Sequence, residues 1–171
     1  MPGSVHLILG GARSGKSARA EELLRAQNAA AVFIATCETS ALDEEMRERI
    51  AAHVQRRPVS WKTVENRFDL ANIVSENGGK PMLLDCLTLW IAFRQTDGES
   101  VILDELAQSL NSVRDHSATL FIVSNELGMG LVPLGSENRL FRDLCGRANQ
   151  FVAQHADTVE FMIAGLPLKL K

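Results

Sequence analysis

The sequence predicts an α/β fold in which a mostly parallel β-sheet is flanked by helices. Two observations support this prediction: short apolar runs alternate with helical patterns, and a glycine-rich motif joins the first run to the first helical pattern. Strands that alternate with helices form βαβ units, and their crossover connections make neighbouring strands parallel. Because no repeat, low-complexity segment or change of composition divides the chain, we expect a single domain over residues 1–171.

The first elements surround a phosphate-binding pattern. Val5–Leu9 is a short, mostly apolar run that predicts a strand, and Lys16–Gln27 has the composition of a helix. Between them lies a full match to G-x-x-x-x-G-K-S, formed by Gly10, Gly11, Ala12, Arg13, Ser14, Gly15, Lys16 and Ser17. This strand–loop–helix order predicts a P-loop NTPase-like sheet and argues against a glycine turn without a ligand.

Each residue type in this loop has a chemical role toward a nucleoside triphosphate. Glycines let the backbone turn tightly, so that amide N–H groups point at the β-phosphate. Lys16 can reach the β- and γ-phosphates, and the Ser17 hydroxyl can take one position on Mg²⁺. The following helix adds its N-terminal dipole to the same anion site.

The next predicted elements are a strand, a helix and a weaker strand candidate, at Ala31–Ala35, Leu42–Gln55 and Trp61–Val64. His53 follows Met46 by seven residues, so it lies close to the buried stripe of the predicted helix. Flanking cations would keep its imidazole neutral and could bind phosphate oxygens. These cations are Arg49, Arg56 and Arg57. The C-terminal dipole of the helix acts in the opposite direction, and from these residues alone a structural histidine is the default interpretation.

A helix predicted at Asp69–Ser75 precedes a strand at Met82–Asp85, whose apolar residues end in a carboxylate. The carboxyl end of this strand would open beside the P-loop, where Asp85 could hold Mg²⁺ directly or through water. The alternative is that Asp85 caps a helical segment over Leu87–Arg94. We favour the metal role because the phosphate-binding loop already requires a second ligand.

A helix at Leu103–Val113 leads into a strand at Leu120–Ser124. The Asn-Lys-x-Asp segment by which switch GTPases read guanine does not occur in the sequence. Ser124, Asn125 and Glu126 instead fall where a doubly wound sheet presents side chains to its ligand crevice. A polar strand end followed by a turn explains these residues equally well.

The last predicted elements are a helix at Arg139–His155, a strand at Val159–Ile163 and an edge strand at Leu168–Leu170. Gly165-Leu166-Pro167 predicts the turn that leads into the edge strand. We expect this short strand to pair antiparallel at the edge of the sheet.

Charge and composition argue against several classes of protein. A net charge of −3 without a basic stripe argues against nucleic acid as the main partner. No apolar run approaches the ~20 residues that span a bilayer, and no secretory leader is expected. Cys37, Cys86 and Cys145 lack metal spacing, and the four histidines lie far apart. We therefore expect reduced, partly buried thiols in a cytoplasmic protein, without a zinc cluster.

Several segments together resemble the bifunctional adenosylcobinamide kinase / adenosylcobinamide-phosphate guanylyltransferase family of cobalamin biosynthesis. They are the P-loop, Ile34-Ala35-Thr36, His53 with Arg57-Pro58, Trp61 with Glu65, Leu83-Leu84-Asp85-Cys86, Ser124–Gly130 and Phe141–Gln150. The resemblance covers nearly the whole chain, and this combination is far more specific than the P-loop alone.

The resemblance implies two reactions in one protein. A nucleoside triphosphate, ATP or GTP, would phosphorylate the aminopropanol hydroxyl of adenosylcobinamide. GTP would then guanylylate an enzyme histidine, which falls on His53, and the GMP unit would pass to adenosylcobinamide phosphate. By the same resemblance, the protein would be a homotrimer.

The resemblance also implies which residues bind the nucleotide. Beyond the P-loop they are Thr36, Cys37, Val54, Gln55, Arg56, Arg57, Glu65 and Asp85. Lys16 and His53 would be the catalytic residues, and Ser17 and Asp85 would hold Mg²⁺. Relatives can carry Glu in place of Asp85, which is one methylene shorter, so its metal contact would run through water.

Two other functions stay open. A single-activity P-loop small-molecule kinase would use Lys16 and Asp85 but never modify His53. A non-catalytic nucleotide switch is disfavoured by the missing guanine signature. The residue that deprotonates the substrate hydroxyl is not identified: Glu126 and Glu65 are both candidates, and Glu65 could also accept hydrogen bonds from guanine.

Overall fold

A single sheet of seven strands lies at the centre of the described part of the chain. A computed structural model describes residues 3–27, 30–36, 44, 51, 54 and 57–171. The strands are β1 (Ser4–Gly10), β2 (Val32–Ala35), β3 (Lys62–Glu65), β4 (Pro81–Asp85), β5 (Thr119–Asn125), β6 (Thr158–Ile163) and β7 (Leu166–Lys169). Their order is β3-β2-β4-β5-β1-β6-β7, and every pair is parallel except β6–β7. The predicted fold class is confirmed.

Five α-helices accompany the sheet within the described residues. They are α1 (Lys16–Arg25), α2 (Leu70–Glu76), α3 (Leu87–Ala92), α4 (Glu99–Asp115) and α5 (Ser136–His155), with a 3₁₀ turn at Gln95–Asp97. The helices predicted near α1, α2, α4 and α5 are therefore present with shifted ends. The predicted helix Leu42–Gln55 lies outside the described residues, apart from single positions.

The sheet is buried on both faces because successive residues of a strand point to opposite sides. Val5, Leu7 and Leu9 of β1 pack in the cluster that contains the apolar side chains of α2, α3, α4 and α5. Ile8 points the other way and packs with Ala20 and Leu24 of α1. All these residues are less than a tenth exposed. This double burial explains why the strands read as continuous apolar runs instead of alternating ones.

The C-terminal edge differs from the prediction in where its turn lies. Ala164 and Gly165 adopt φ values of 50° and 82°, so the chain reverses there and β7 begins at Leu166. Pro167 consequently lies inside β7, opposite Met162, and not in the turn. An edge strand tolerates proline because one side of it needs no ladder hydrogen bond.

Helix α1 is fixed to the sheet by a two-pronged ion pair. The Arg19 guanidinium donates to both carboxylate oxygens of Glu160 on β6, at 2.9 and 3.0 Å. The guanidinium lowers the pKa of Glu160 below its ordinary value. Both side chains are about four-fifths buried. The contact therefore holds the start of α1 near the carboxyl end of β1.

Two of the three cysteines lie within the described residues. Cys86 and Cys145 form no disulfide with each other, and both are buried. Burial raises the pKa of Cys86 to about 11 and that of Cys145 to about 12. Cys37 lies outside the described residues.

None of the helices in the described ranges has the length and apolar character that crossing a membrane requires.

A buried polar network closes the carboxyl end of β5. The Ser124 hydroxyl donates to Asn149 Oδ1 of α5 at 2.7 Å and lies 3.2 Å from the Thr88 hydroxyl of α3. Thr88 accepts a hydrogen bond from the Asn125 backbone N–H at 2.9 Å, and the Asn149 amide donates to the Asn125 carbonyl at 3.1 Å. Each buried polar group therefore has a partner, and two helices are tied to the strand end.

Replacing Thr88 with valine keeps the shape but removes the hydroxyl, which leaves the Asn125 N–H without its acceptor. We expect Thr88→Val to lower the free energy of unfolding by about 1–3 kcal/mol, measured by urea denaturation. Ser109→Ala is the matched control, because the Ser109 hydroxyl only donates to the Glu105 carbonyl of its own helix. A Thr88→Val protein as stable as Ser109→Ala would show that the network contributes nothing.

Candidate active site

The phosphate-binding loop connects β1 to α1 in the predicted order. Gly15 is the N-cap of α1 and has a φ of 95°, in the left-handed region that favours glycine. A Cβ on Gly10 would lie 2.6 Å from the Met162 carbonyl oxygen of β6, closer than carbon and oxygen can approach. Glycine is therefore required at both ends of the curl, and the loop is held against β6.

Lys16 and Ser14 turn polar atoms into the loop. The Lys16 side chain is buried, and its Nζ donates to the Gly11 carbonyl at 2.6 Å, across the loop. The Ser14 hydroxyl is buried without a hydrogen-bond partner among the described residues. Leaving a buried hydroxyl unpaired costs free energy, and a phosphate oxygen in the curl is a partner of suitable chemistry. The loop thus has the donors that an anion requires.

Ser17 and Asp85 meet at the edge of the sheet. The Ser17 hydroxyl, on the first turn of α1, donates to Asp85 Oδ1 at 3.2 Å. Asp85 is the last residue of β4, and the N-cap of α3 is Cys86. The capping alternative is therefore not what the structure shows. A hydroxyl and a carboxylate are the oxygen donors that Mg²⁺ prefers, so these two side chains fit the expected metal.

Thr36 joins the strand that carries Asp85 to its neighbour. It follows β2, is buried, and donates its hydroxyl to the Cys86 carbonyl at 2.9 Å. The same oxygen accepts a hydrogen bond from the Cys86 N–H at 2.8 Å, and the Thr36 N–H donates to the Asp85 carbonyl at 3.3 Å. Because its hydroxyl is used in both directions, Thr36 fixes the backbone beside Asp85.

Arg57 lies against the sheet near Asp85, the carboxylate that we expect to hold the metal. Its guanidinium carbon is 3.5 Å from the centre of the Phe33 ring. Burial lowers the pKa of Arg57, while the negative charges of Asp85, Glu21 and Glu65 raise it. Its buried Nε has no hydrogen-bond partner among the described residues. A half-buried cation with an unused N–H is suited to a phosphate oxygen.

Glu65 ends β3 at the same edge of the sheet. Both Glu65 and Asp85 are aligned with Ala35 of β2, on its two sides. Two strand spacings of about 4.8 Å separate them, which is about 10 Å. Glu65 is exposed. Because β3 lies farther from β1 in the sheet than β4 does, this carboxylate can contact the nucleoside end of a nucleotide whose phosphates lie in the loop.

The structure thus brings together the P-loop, Thr36, Arg57, Glu65 and Asp85 along one edge. Val54 is described as exposed. The remaining predicted site residues, Cys37, His53, Gln55 and Arg56, lie outside the described residues.

Sequence reasoning missed Glu21 and the polar network around Ser124. Glu21 is buried on α1, 3.6 Å from Arg25, and its charge acts on Arg57. The available signal is helical spacing, because Glu21 borders the buried stripe of Lys16, Ala20 and Leu24. The network around Ser124 includes Asn149 of α5. No local sequence pattern predicts that this asparagine contacts β5.

Comparison with known proteins agrees with this geometry. A family model described as cobinamide kinase / cobinamide phosphate guanyltransferase matches residues 6–170. The bifunctional adenosylcobalamin biosynthesis protein CobP of Pseudomonas aeruginosa is 40% identical over 168 residues, which are 96% of each chain. The bifunctional adenosylcobalamin biosynthesis proteins CobU of Escherichia coli and Salmonella typhimurium are each 34% identical over 181 residues, covering 96% of this chain and 98% of theirs.

A solved structure shows the same fold. The KaiC-like protein PH0186 from Pyrococcus horikoshii superposes with a TM-score of 0.56, over 94% of this chain and 71% of that one. At 17% identity this likeness concerns the fold alone.

Thr36 gives a test of how the Asp85 backbone is held. We expect Thr36→Val to destabilise the protein by about 1–3 kcal/mol, because the Cys86 N–H and carbonyl lose their side-chain partner. Thr36→Ser keeps the hydroxyl and should lose less. Urea denaturation measures both, and equal stability of the two variants would contradict the structural role of the hydroxyl.

Proposed function

The chain belongs to the cobinamide kinase / cobinamide phosphate guanyltransferase family, and from this we infer that its one phosphate-binding loop serves both reactions. The protein is a transferase of cobalamin biosynthesis that phosphorylates adenosylcobinamide and transfers GMP to the product. The observation that carries this conclusion is the family match over residues 6–170, on a chain whose P-loop faces Asp85.

In the kinase step, we propose that the aminopropanol hydroxyl oxygen attacks the γ-phosphorus of ATP or GTP. The bond from this phosphorus to the β–γ bridging oxygen breaks, the hydroxyl loses its proton, and the nucleoside diphosphate leaves. Lys16 and the amides of the loop hold the β- and γ-phosphates in line for this displacement. Positioning and charge stabilisation supply most of the catalysis in phosphoryl transfer.

We propose that Ser17 and Asp85 hold Mg²⁺ beside the phosphates, Asp85 through a water molecule. When bound, the ion neutralises negative charge that builds up on the phosphate oxygens. The 3.2 Å contact between the two side chains supports this role, because it places a hydroxyl and a carboxylate, which are oxygen ligands that Mg²⁺ takes, next to each other at the loop.

In the guanylyltransferase step, we propose that a neutral His53 nitrogen attacks the α-phosphorus of GTP. The bond between this phosphorus and the α–β bridging oxygen breaks, and pyrophosphate leaves. A phosphate oxygen of adenosylcobinamide phosphate then attacks the same phosphorus and breaks its bond to nitrogen. Splitting one exchange into two displacements is the general advantage of a covalent intermediate. The family resemblance and the neighbouring arginines support this role.

We propose that the nucleotide runs along the carboxyl edge of the sheet, from the loop toward β3. Arg57 would pair with phosphate oxygens, and Glu65 would accept hydrogen bonds from the guanine N1 and N2 groups. The attraction of Arg57 to both Asp85 and Glu65 supports this direction. Further nucleotide contacts are proposed from the family resemblance: Thr36, Cys37, Val54, Gln55 and Arg56.

We also propose that residues 1–171 act as one domain in a cytoplasmic homotrimer. The single sheet supports the first part of this proposal. Large apolar side chains exposed between β5 and the start of α5 support burial against another copy. They are Met129, Leu131, Leu134 and Leu140.

GTP labelled at the α-phosphate distinguishes the two-step enzyme from a simple kinase. With Mg²⁺, we expect label that stays on the denatured wild-type protein, is lost in mild acid and survives alkali. His53→Ala should carry no label yet still phosphorylate adenosylcobinamide, because the γ-phosphate does not pass through the imidazole. His116→Ala is the matched control, because His116 is an exposed histidine at the C-terminal end of α4. This variant should be labelled as the wild type is.

Lys16→Ala should slow both reactions about a hundredfold or more, the scale of losing one charge-stabilising donor. Normal labelling of Lys16→Ala would contradict the shared loop. A wild-type protein that phosphorylates the corrinoid without ever becoming labelled would favour the single-activity kinase.

A further inference from the structure

A second concave site lies beside the phosphate-binding loop. A pocket of about 630 Å³ opens between the carboxyl end of β5 and helix α5. This volume is within the roughly 300–1,000 Å³ range of small-molecule sites. Its walls come from the segment after β5, from α5 and from Leu9 of β1. These walls include Glu126, Gly128 and Gly130, and Arg142 through Gln150 in part, the two segments that the nucleotide reactions leave unassigned.

A glycine keeps the floor of this pocket open. Gly146 lies in the middle of the 20-residue helix α5 and lines the pocket. A Cβ at this position would meet nothing within 4 Å, so packing against the described chain does not require glycine. Glycine in a helix interior is less favourable than alanine. The missing side chain therefore leaves room for something that approaches the helix backbone closely.

The chemistry of the lining argues against an anionic ligand. Arg147 pairs with Glu99 at 2.5 Å, and Arg142 pairs with its neighbour Asp143 at 3.3 Å. Their charges are thus compensated, which makes the pocket a poor site for a free phosphate. Gln150 adds an amide, and apolar surface comes from Leu9, Val132 and Ala153. Glu126 adds a carboxylate to the same lining. Polar groups beside apolar surface suit a large ligand that has apolar faces, hydrogen-bonding groups at its edge and no net negative charge inside the pocket.

The pocket and the nucleotide site share one strand pair. The Glu126 N–H donates to the Gly10 carbonyl at 3.0 Å, so the pocket wall is joined to the first residue of the P-loop. Leu9 packs with the α5 side of the sheet, and α1 lies on the other side. A ligand in the pocket therefore needs to extend only past the ends of β1 and β5 to reach the γ-phosphate.

We propose that this pocket binds the corrinoid acceptor, with the aminopropanol arm passing Glu126 toward the nucleotide. The proposal rests on the function inferred above, since it names the place where that acceptor lies. Both reactions need the same arm at the loop, and one corrinoid site serves both.

A series of substitutions at Gly146 tests the proposal. Gly146→Ala, Gly146→Leu and Gly146→Phe fill the floor by increasing amounts, at a helix position where an added Cβ meets no atom within 4 Å. We expect the KM for adenosylcobinamide to rise with side-chain size, by about tenfold or more for phenylalanine. The Kd for GTP and the amount of histidine-bound label, which need no corrinoid, should stay at the wild-type level. Gln154→Phe, exposed on the same helix outside the pocket, is the matched control and should leave the KM unchanged.

The outcomes separate this proposal from the function on which it rests. A wild-type protein that binds GTP but never phosphorylates adenosylcobinamide would refute the function itself, and the pocket assignment with it. An active wild type with an unchanged KM in Gly146→Phe would refute only the pocket. Loss of GTP binding in Gly146→Phe would assign the pocket to the nucleotide instead. A changed sedimentation coefficient at unchanged KM would make the pocket an interface between copies, which also overturns the proposal.

Discussion

The contact between Ser17 and Asp85 joins the two halves of the nucleotide site. One side chain comes from the helix that follows β1, and the other ends β4, two strands away in the sheet. The strand order makes the contact possible. Only β5 lies between β1 and β4 in the sheet, and its carboxyl end lies at the same edge. Parallel strands deliver their carboxyl ends to one side, so a loop and an acid far apart in sequence meet there. Three further predicted site residues lie along the same edge of the sheet: Lys16, Thr36 and Arg57.

Several polar contacts keep this edge in place. Arg19 holds α1 to β6, and Thr36 fixes the backbone beside Asp85. The network of Thr88, Ser124 and Asn149 closes the end of β5. Each of these contacts satisfies buried or half-buried polar groups, so none adds an unpaired group to the core. The polar atoms left without partners among the described residues, on Ser14 and Arg57, lie where phosphate oxygens are expected.

The sequence predicted the parts of this structure that depend on local pattern. The P-loop follows from its fixed spacing, and β4 with Asp85 follows from an apolar run that ends in an acid. The sequence pattern predicts that β7 begins two residues later than it does, because Pro167 suggests a turn although an edge strand can also contain proline. Glu21 and the Gly146 pocket could not be predicted, since both depend on which elements the tertiary fold packs together. His53 stays a prediction, because it lies outside the described residues.

The most direct measurement of the central claim is a crystal structure with Mg²⁺ and a non-hydrolysable GTP analogue. The account predicts β- and γ-phosphates inside the loop 10–17, with the metal about 2.0–2.1 Å from Ser17 Oγ and Asp85 bound to it through water. Phosphates outside the loop, or a metal that contacts neither Ser17 nor the water held by Asp85, would contradict it.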